Sequence, residues 1–322
     1  MMLNIKEYII FILVFTLFFI DGISNGQSLN FPSSRAGISI GNSPVFTGLR
    51  LNFRDKNLDL IKGVNFTIWK PDNKLTGDFT GLAVGIWGPG ASKLSGILLG
   101  GSVQASKSIS GISIGLIWIY SRSKIQGLTI SGVGIRSSGD ILGVVGGLGI
   151  FCAGNIKGLS ASISTTAEKN ISGIHIAGLI IGADKSVKGV NVAALGVGAK
   201  SNLIGFNAGF STMADGTLIG AAVGGFSKVL EDVQGVTLNG IATLCQGDFQ
   251  GINITGLYSR IGGDFMGFSV SALNHIGGQQ NGITFGLFNI AKSLKGVQIG
   301  LINYVKDNPK WARILPLINA RF

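Results

Sequence analysis

The sequence is short of charge, cysteine, histidine and proline. Only 13% of its 322 residues are Asp, Glu, Lys or Arg, against about 25% in an ordinary soluble domain, which argues against a water-soluble enzyme. Two cysteines, Cys152 and Cys245, make neither a disulfide framework nor a metal site. They read as unpaired small hydrophobes, with a single disulfide between them as the other reading. Two histidines, His175 and His275, have no second His or carboxylate at ligand spacing, which leaves structural or solvated roles. Six prolines and no three-residue glycine period exclude collagen. No glycine-rich stretch ends in the Gly-Lys-Ser/Thr of a triphosphate loop. No residue is nominated as catalytic, cofactor-binding or metal-ligating, no cofactor is implied, and the chain is expected to be non-enzymatic.

Long hydrophobic runs are missing too. The apolar stretch from Tyr8 to Ile20 falls short of the about 20 residues of a spanning helix. Lys6 precedes it, and Asp21 and the small residues Ser24-Asn25-Gly26 follow it. That order reads as a secretory signal over 1–26 with Gln27 as mature N-terminus, a membrane-anchor helix being the alternative. Residues 27–322 then form a single repeat-built β domain.

What is abundant is glycine, 52 residues, and it keeps time. It recurs from Gly48 to Gly296 with steps of 14, 15 or 16 after one step of 18, the mark of a repeat architecture. Units such as Gly111-Ile112-Ser113-Ile114-Gly115-Leu116 put bulky apolar residues at the first and third positions after the glycine. The second and fourth positions hold mostly Gly, Ala, Ser, Thr, Asn or Gln. This alternation predicts β-strands with one apolar and one small, weakly polar face, separated by turns such as Ser121-Arg122-Ser123-Lys124. The apolar parity shifts at Gly132, Gly178, Ala194, Gly240 and Gly256, each in a unit followed by a 16-residue step. A β-bulge or a solenoid corner would produce that shift.

Across the fifteen units from Gly81 to Gly296, the first eight residues contain no Asp, Glu, Lys or Arg. Water tolerates charge on a strand surface, whereas hydrocarbon charges roughly 2–4 kcal/mol for it at the bilayer midplane. A strand from Ile109 to Tyr120 also matches the roughly 9–11 residues of a tilted transmembrane strand. Short links join antiparallel neighbours, and in lipid such a meander must close. The leading expectation is therefore an up-and-down antiparallel transmembrane β-barrel of about eighteen short strands, with Ala36–Asn42 as one further strand and the uncharged inner face implying a narrow or packed lumen. Trp69, Trp87 and Trp118 would sit at an interfacial belt. The alternative is a β-solenoid with one coil per 15–16-residue unit. Parallel register between Gly189 and Gly205 would select it.

Units such as Gly296-Val297-Gln298-Ile299-Gly300-Leu301-Ile302-Asn303 resemble a glycine-rich bacterial surface-repeat family, and Pro316-Leu317-Ile318-Asn319-Ala320-Arg321-Phe322 is similar to its closing unit. The terminal Phe322 resembles the C-terminal aromatic of outer-membrane barrels, while Pro316 departs from a regular last strand. These resemblances imply the outer membrane of a Gram-negative bacterium, with secretion to the cell surface as the alternative. The expected role is a surface, scaffold or partner-binding protein and weakly selective pore, or in the solenoid reading an adhesive or structural one.

The formal charge of +11 comes from basic residues scattered over turns, such as Lys93, Lys107, Lys157, Lys200, Lys228, Lys292 and Lys295. Without runs or interleaved aromatics this pattern does not suit nucleic acid. Membrane lipid and outer-membrane proteins are the expected partners, and no small-molecule substrate is identifiable.

Overall fold

The computed structural model describes residues 28–322, so the expected signal segment lies outside the described residues. The chain divides into two compact units, the first ending at Arg122 and the second running from Ser123 to Phe322. Both are built almost wholly of strands, with a single 3-10 turn at Lys310–Ala312.

In the second unit the strands from Lys124–Ser131 to Phe288–Val305 pair in parallel with the corresponding strand one repeat on. Ile141–Cys152 pairs with Ile156–Ala167, which pairs with Ile171–Ala183. Glycine stands on glycine throughout: Gly143 on Gly158, Gly158 on Gly173, and Gly189 on Gly205. In the first unit Gly37, Gly48, Gly63, Gly81 and Gly96 stack in the same way. Each unit is thus a β-solenoid, one coil per repeat, and the expected antiparallel barrel is overturned. The physical reason lies in the parity shift. The alternating segment is not one straight strand; it bends four or five residues after the glycine and returns, so one repeat contains its own crossover. A parallel pairing needs a connection of a dozen or more residues, and the rest of the coil supplies it.

The extra residue of a 16-residue coil sits at that bend. Ser162 faces Ala177, but two residues later Ser164 faces Ile180. Gly224 faces Asn239, but Phe226 faces Ala242. A bulge and a corner are therefore the same event here.

Why the repeat must open on glycine is visible at Gly205. Its φ is +103°, in the left-handed half of conformational space that a Cβ disfavours. A methyl there would also run into the carbonyl oxygen of Gly189 in the coil before.

Each end of the chain as described is closed by a strand of opposite sense. Ser28–Pro32 lies antiparallel on Ala36–Gly41, and Ile314–Arg321 lies antiparallel on Phe288–Val305. Pro316 falls in the register irregularity between the Gly300–Leu317 and Asn303–Leu315 pairs, and Leu317 takes φ +66°. Short, proline-bearing edge strands blunt further strand addition.

Candidate functional surface

A coil of the second unit has two long walls that meet at the bend and at the turn opposite it. Wall one carries the glycine and the alternating residues after it; wall two returns to the turn. Side chains on a strand alternate between faces, so the period-two pattern decides what goes inside.

The structure sends the small polar set inward and the bulky apolar set outward. Ser160, Asn191, Asn207, Thr237, Asn253 and Ser269, two residues after their glycines, are buried. Ile174 is 48% exposed and Ile176 57%, one and three residues after Gly173. The same outward rows hold Leu159, Val190, Val192, Phe206, Ile252, Ile254 and Phe268. On wall two the exposed row continues through Leu179, Leu195, Phe210, Ile241, Leu257, Leu287 and Leu301. Isolated exposed apolar residues are ordinary, but contiguous ladders of this extent mark an interaction surface.

The interior is layered. Beneath the charged turn it is apolar, with pairs such as Ile156 and Ala167, Leu218 and Val229, or Phe249 and Ile261, all buried. Cys152 and Cys245 take the same last interior position and are free thiols. Burial, the largest cause, pushes them up to about 11 and about 12, so they stay protonated at neutral pH. Beneath the apolar bend the interior is polar, and many of its groups bond to one another, while His175 Nε2, Asn191 Oδ1 and Asn207 Nδ2 are buried without a partner. Thr212 Oγ1 lies 2.6 Å from Ser227 Oγ, and Ser227 donates to Asn239 Oδ1 at 3.0 Å. Asn239 Nδ2 then donates to Thr243 Oγ1 at 2.8 Å. Further on, Asn253 Nδ2 donates to Ser269 Oγ at 2.8 Å, and Ser269 to Asn274 Oδ1 at 2.7 Å. Asn274 Nδ2 donates to Asn289 Oδ1 at 2.9 Å and Asn289 Nδ2 to Asn303 Oδ1 at 2.8 Å. His175 belongs to this spine, with Nδ1 2.7 Å from Ser160 Oγ. His275 stands on the outer side near the turn, half-buried.

The outer bend is free of charge and lined by small residues. Gly256 packs so closely on Gly240 that a Cβ would meet its carbonyl oxygen. Between Gly256, Gly286 and Gly300 below and Phe285, Leu287 and Leu317 beside them lies an apolar groove of about 580 Å³. The backbone at the bend is nonetheless satisfied from coil to coil. Leu195 N–H donates to Leu179 C=O at 2.9 Å, Phe210 N–H to Ala194 C=O at 3.0 Å, and Leu287 N–H to Ala272 C=O at 2.9 Å.

Charge is gathered at the turn. There Asp140, Asn155 and Asn170 form a ladder in which each side-chain oxygen takes the backbone N–H of the next coil: Asn155 N–H to Asp140 Oδ1 at 2.7 Å, Asn170 N–H to Asn155 Oδ1 at 3.3 Å. That backbone bond is the largest cause of the lowered Asp140 pKa. The ladder resumes at Asp232, Asp248 and Asp264. Among the described residues no group of three or more His, Cys, Asp or Glu is placed to hold a metal, and no helix is long and apolar enough to cross a membrane.

In the first unit Phe53, Trp69 and Trp87 stack in succession. Trp69 lies 6.2 Å from Phe53 with parallel rings and 6.3 Å from Trp87, a short outer ladder rather than separate belt residues. The coil interior is filled by side chains, so the lumen of the expected barrel has no counterpart among the described residues. No protein-family profile, curated protein or solved structure matches this chain.

The barrel reading already put the apolar row outside and the small polar row inside. What it missed is that the polar row closes on itself within one coil, as Asn239 does on Thr243 and Asn253 on Ser259. The signal was present in the inward set, because Ser, Thr and Asn can form continuous ladders where Gly and Ala alone cannot.

Proposed function

We propose that this chain is a non-enzymatic structural solenoid of the cell surface, seated in membrane lipid through its two apolar walls, with the charged turn in water. The observation that carries this reading is the inversion of the coil: aliphatic and aromatic side chains outward, hydrogen-bonded Ser, Thr and Asn inward. In water such an arrangement leaves unrealised most of the favourable transfer of apolar surface that drives folding. In lipid it is the expected one, because hydrocarbon removes the solvent drive and rewards packing and internal hydrogen bonds.

Two further features support it. The bend, farthest from the turn, carries no free strand edge, and its coil-to-coil backbone bonds meet the requirement that hydrocarbon imposes. The distance from Lys157 to Ser162 along wall one is roughly 17 Å for an extended strand, close to half of an about 30 Å hydrocarbon core. That depth suits a solenoid lying in one leaflet rather than one crossing both. The signal-like N-terminal segment and the resemblance of the repeats favour an exported protein, with the Gram-negative outer membrane as its site.

Flotation tests the reading. The purified chain, diluted from detergent into phosphatidylcholine vesicles, should rise with them through a density gradient and keep its β circular-dichroism spectrum. A chain that stays monomeric and folded in plain buffer and remains at the bottom of the gradient would overturn it.

A further inference from the structure

The outward rows are not uniformly neutral, and the exceptions follow a rule. On wall one of the second unit, the last outward position before the turn precedes the glycine; it is basic in three coils, as the exposed Lys157, Lys188 and Lys295, and neutral in the others, as Gln126, Leu142, Ile204 or Met266. On wall two the matching position is basic at Arg136, Lys228 and Arg260, also exposed, and otherwise holds residues such as Phe151, Thr166, Met213 and Leu244. No acid occupies either position in this unit. Its acidic residues, among them Asp140, Glu168, Asp184, Asp215, Glu231, Asp232, Asp248 and Asp264, all lie within the turn. The ion pair of the unit, Lys200 with Asp184 at 2.8 Å, is formed there and not on the walls.

We infer that the Lys and Arg residues at these two flanking positions bind the phosphate groups of anionic lipid headgroups. The inference rests on the lipid-seated reading above and adds the class of lipid. It follows from the order of groups along a wall: apolar ladder, then a position at which every charge that occurs is basic, then a turn of mixed sign. A long basic side chain at that level lays its methylenes on the apolar wall and lifts its charge to the interface, where an anionic leaflet supplies the counter-charge. Acids are withdrawn one step further into water, where they do not meet the phosphates. A peripheral solenoid that met only water would have no reason to sort the two signs by position.

The test is flotation with vesicles of phosphatidylcholine alone and with vesicles in which part of it is replaced by phosphatidylglycerol. The wild-type chain should bind the second more tightly, by about fivefold per engaged basic residue at low ionic strength, and the increment should shrink with added salt. The variant Lys157→Gln, Lys188→Gln, Arg260→Gln should lose on the order of a hundredfold of that increment and keep its binding to phosphatidylcholine and its circular-dichroism spectrum. A control with Lys169→Gln, Lys185→Gln, Lys200→Gln removes the same charge from the turn and should lose little. Equal binding to both vesicles, or equal losses in both variants, overturns the inference and leaves the lipid-seated reading standing. Failure to float with either vesicle overturns that reading instead.

Discussion

Charge enters the interior of the first unit and is kept out of the second, where the only buried ionisable side chains are His175 and the two thiols. Two residues after Gly48, where the second unit places Ser160, Asn191 or Asn207, the chain has Arg50, wholly buried. Its Nη1 donates to Asp55 Oδ1 at 2.8 Å and to Asn65 Oδ1 at 2.7 Å, and its Nη2 to Asn42 Oδ1 at 2.6 Å. Asp55 is itself buried and also accepts from Asn52 Nδ2 at 2.7 Å and Thr67 Oγ1 at 3.2 Å. Asp55 comes from the irregular segment after the strand Val45–Asn52, so the counter-charge needs a dedicated excursion of the chain. A neutral spine needs none, because each coil offers its Asn or Ser to the next. The charged coil accordingly forms no strand between Asn52 and Leu60, although its step from Gly48 to Gly63 keeps the 15-residue length of the repeat.

The largest expected effect breaks the charged interior. Arg50→Ala leaves Asp55 buried without its partner and should cost about 3–5 kcal/mol of stability, read from chemical unfolding in detergent or lipid. Replacing Arg50 by Met together with Asp55 by Asn should recover most of that loss, because the desolvation of both charges is then removed as well. A loss under about 1 kcal/mol for Arg50→Ala alone would show that the ion pair is not holding the coil. Next comes a feature both units share. Gly205→Ala, strained by its positive φ and blocked by the Gly189 carbonyl, should cost about 1–3 kcal/mol. Gly182→Ala, with nothing within 4 Å of the added methyl, should stay within about 0.5 kcal/mol. Equal effects at the two sites would mean that the ladder tolerates a Cβ and that glycine is there for another reason.

Much of this was legible in the residues. Glycine spacing defined the repeat, alternation gave strands, and the parity shifts at Gly178 and Gly256 marked a place where the chain changes direction. What the pattern could not supply was which strand lies beside which. A one-dimensional alternation is the same in a meander and in a coil, and only the length of the return distinguishes them. Reading the segment from Ile109 to Tyr120 as one straight strand hid that return and led to the barrel. The charge-free walls were read as unusual and the small polar row as the inner one, yet the kind of interior could not be told, because such a row suits a packed lumen as well as a coil interior. The Arg50 cluster was not legible at all. Nothing near Arg50 in the sequence announces that Asp55, Asn65 and Asn42 converge on it.

The smallest effect sharpens the comparison by using the single histidine of the neutral spine. Burial, the first cause, holds the His175 imidazole below its usual 6.5, and its Nε2 has no hydrogen-bond partner inside the coil. Folded His175 is therefore neutral under conditions where the unfolded chain takes up a proton. As pH falls through about 6.5 the unfolded state binds more protons than the folded one, so stability declines, by at most about 1.4 kcal/mol per pH unit, until the folded pKa is reached. Above that window the term vanishes. Asp140, whose pKa is lowered, acts in the same direction but only as pH falls through its ordinary value of about 3.8, so the decline that begins near pH 6.5 belongs to His175. His175→Asn keeps a polar group beside Ser160 and removes the titration. Its unfolding midpoint should match the wild type at pH 7.5 and exceed it progressively between pH 6.5 and pH 5. Parallel profiles for the two proteins would mean that the spine admits a proton, and with it a charge, as readily as the first unit admits Arg50.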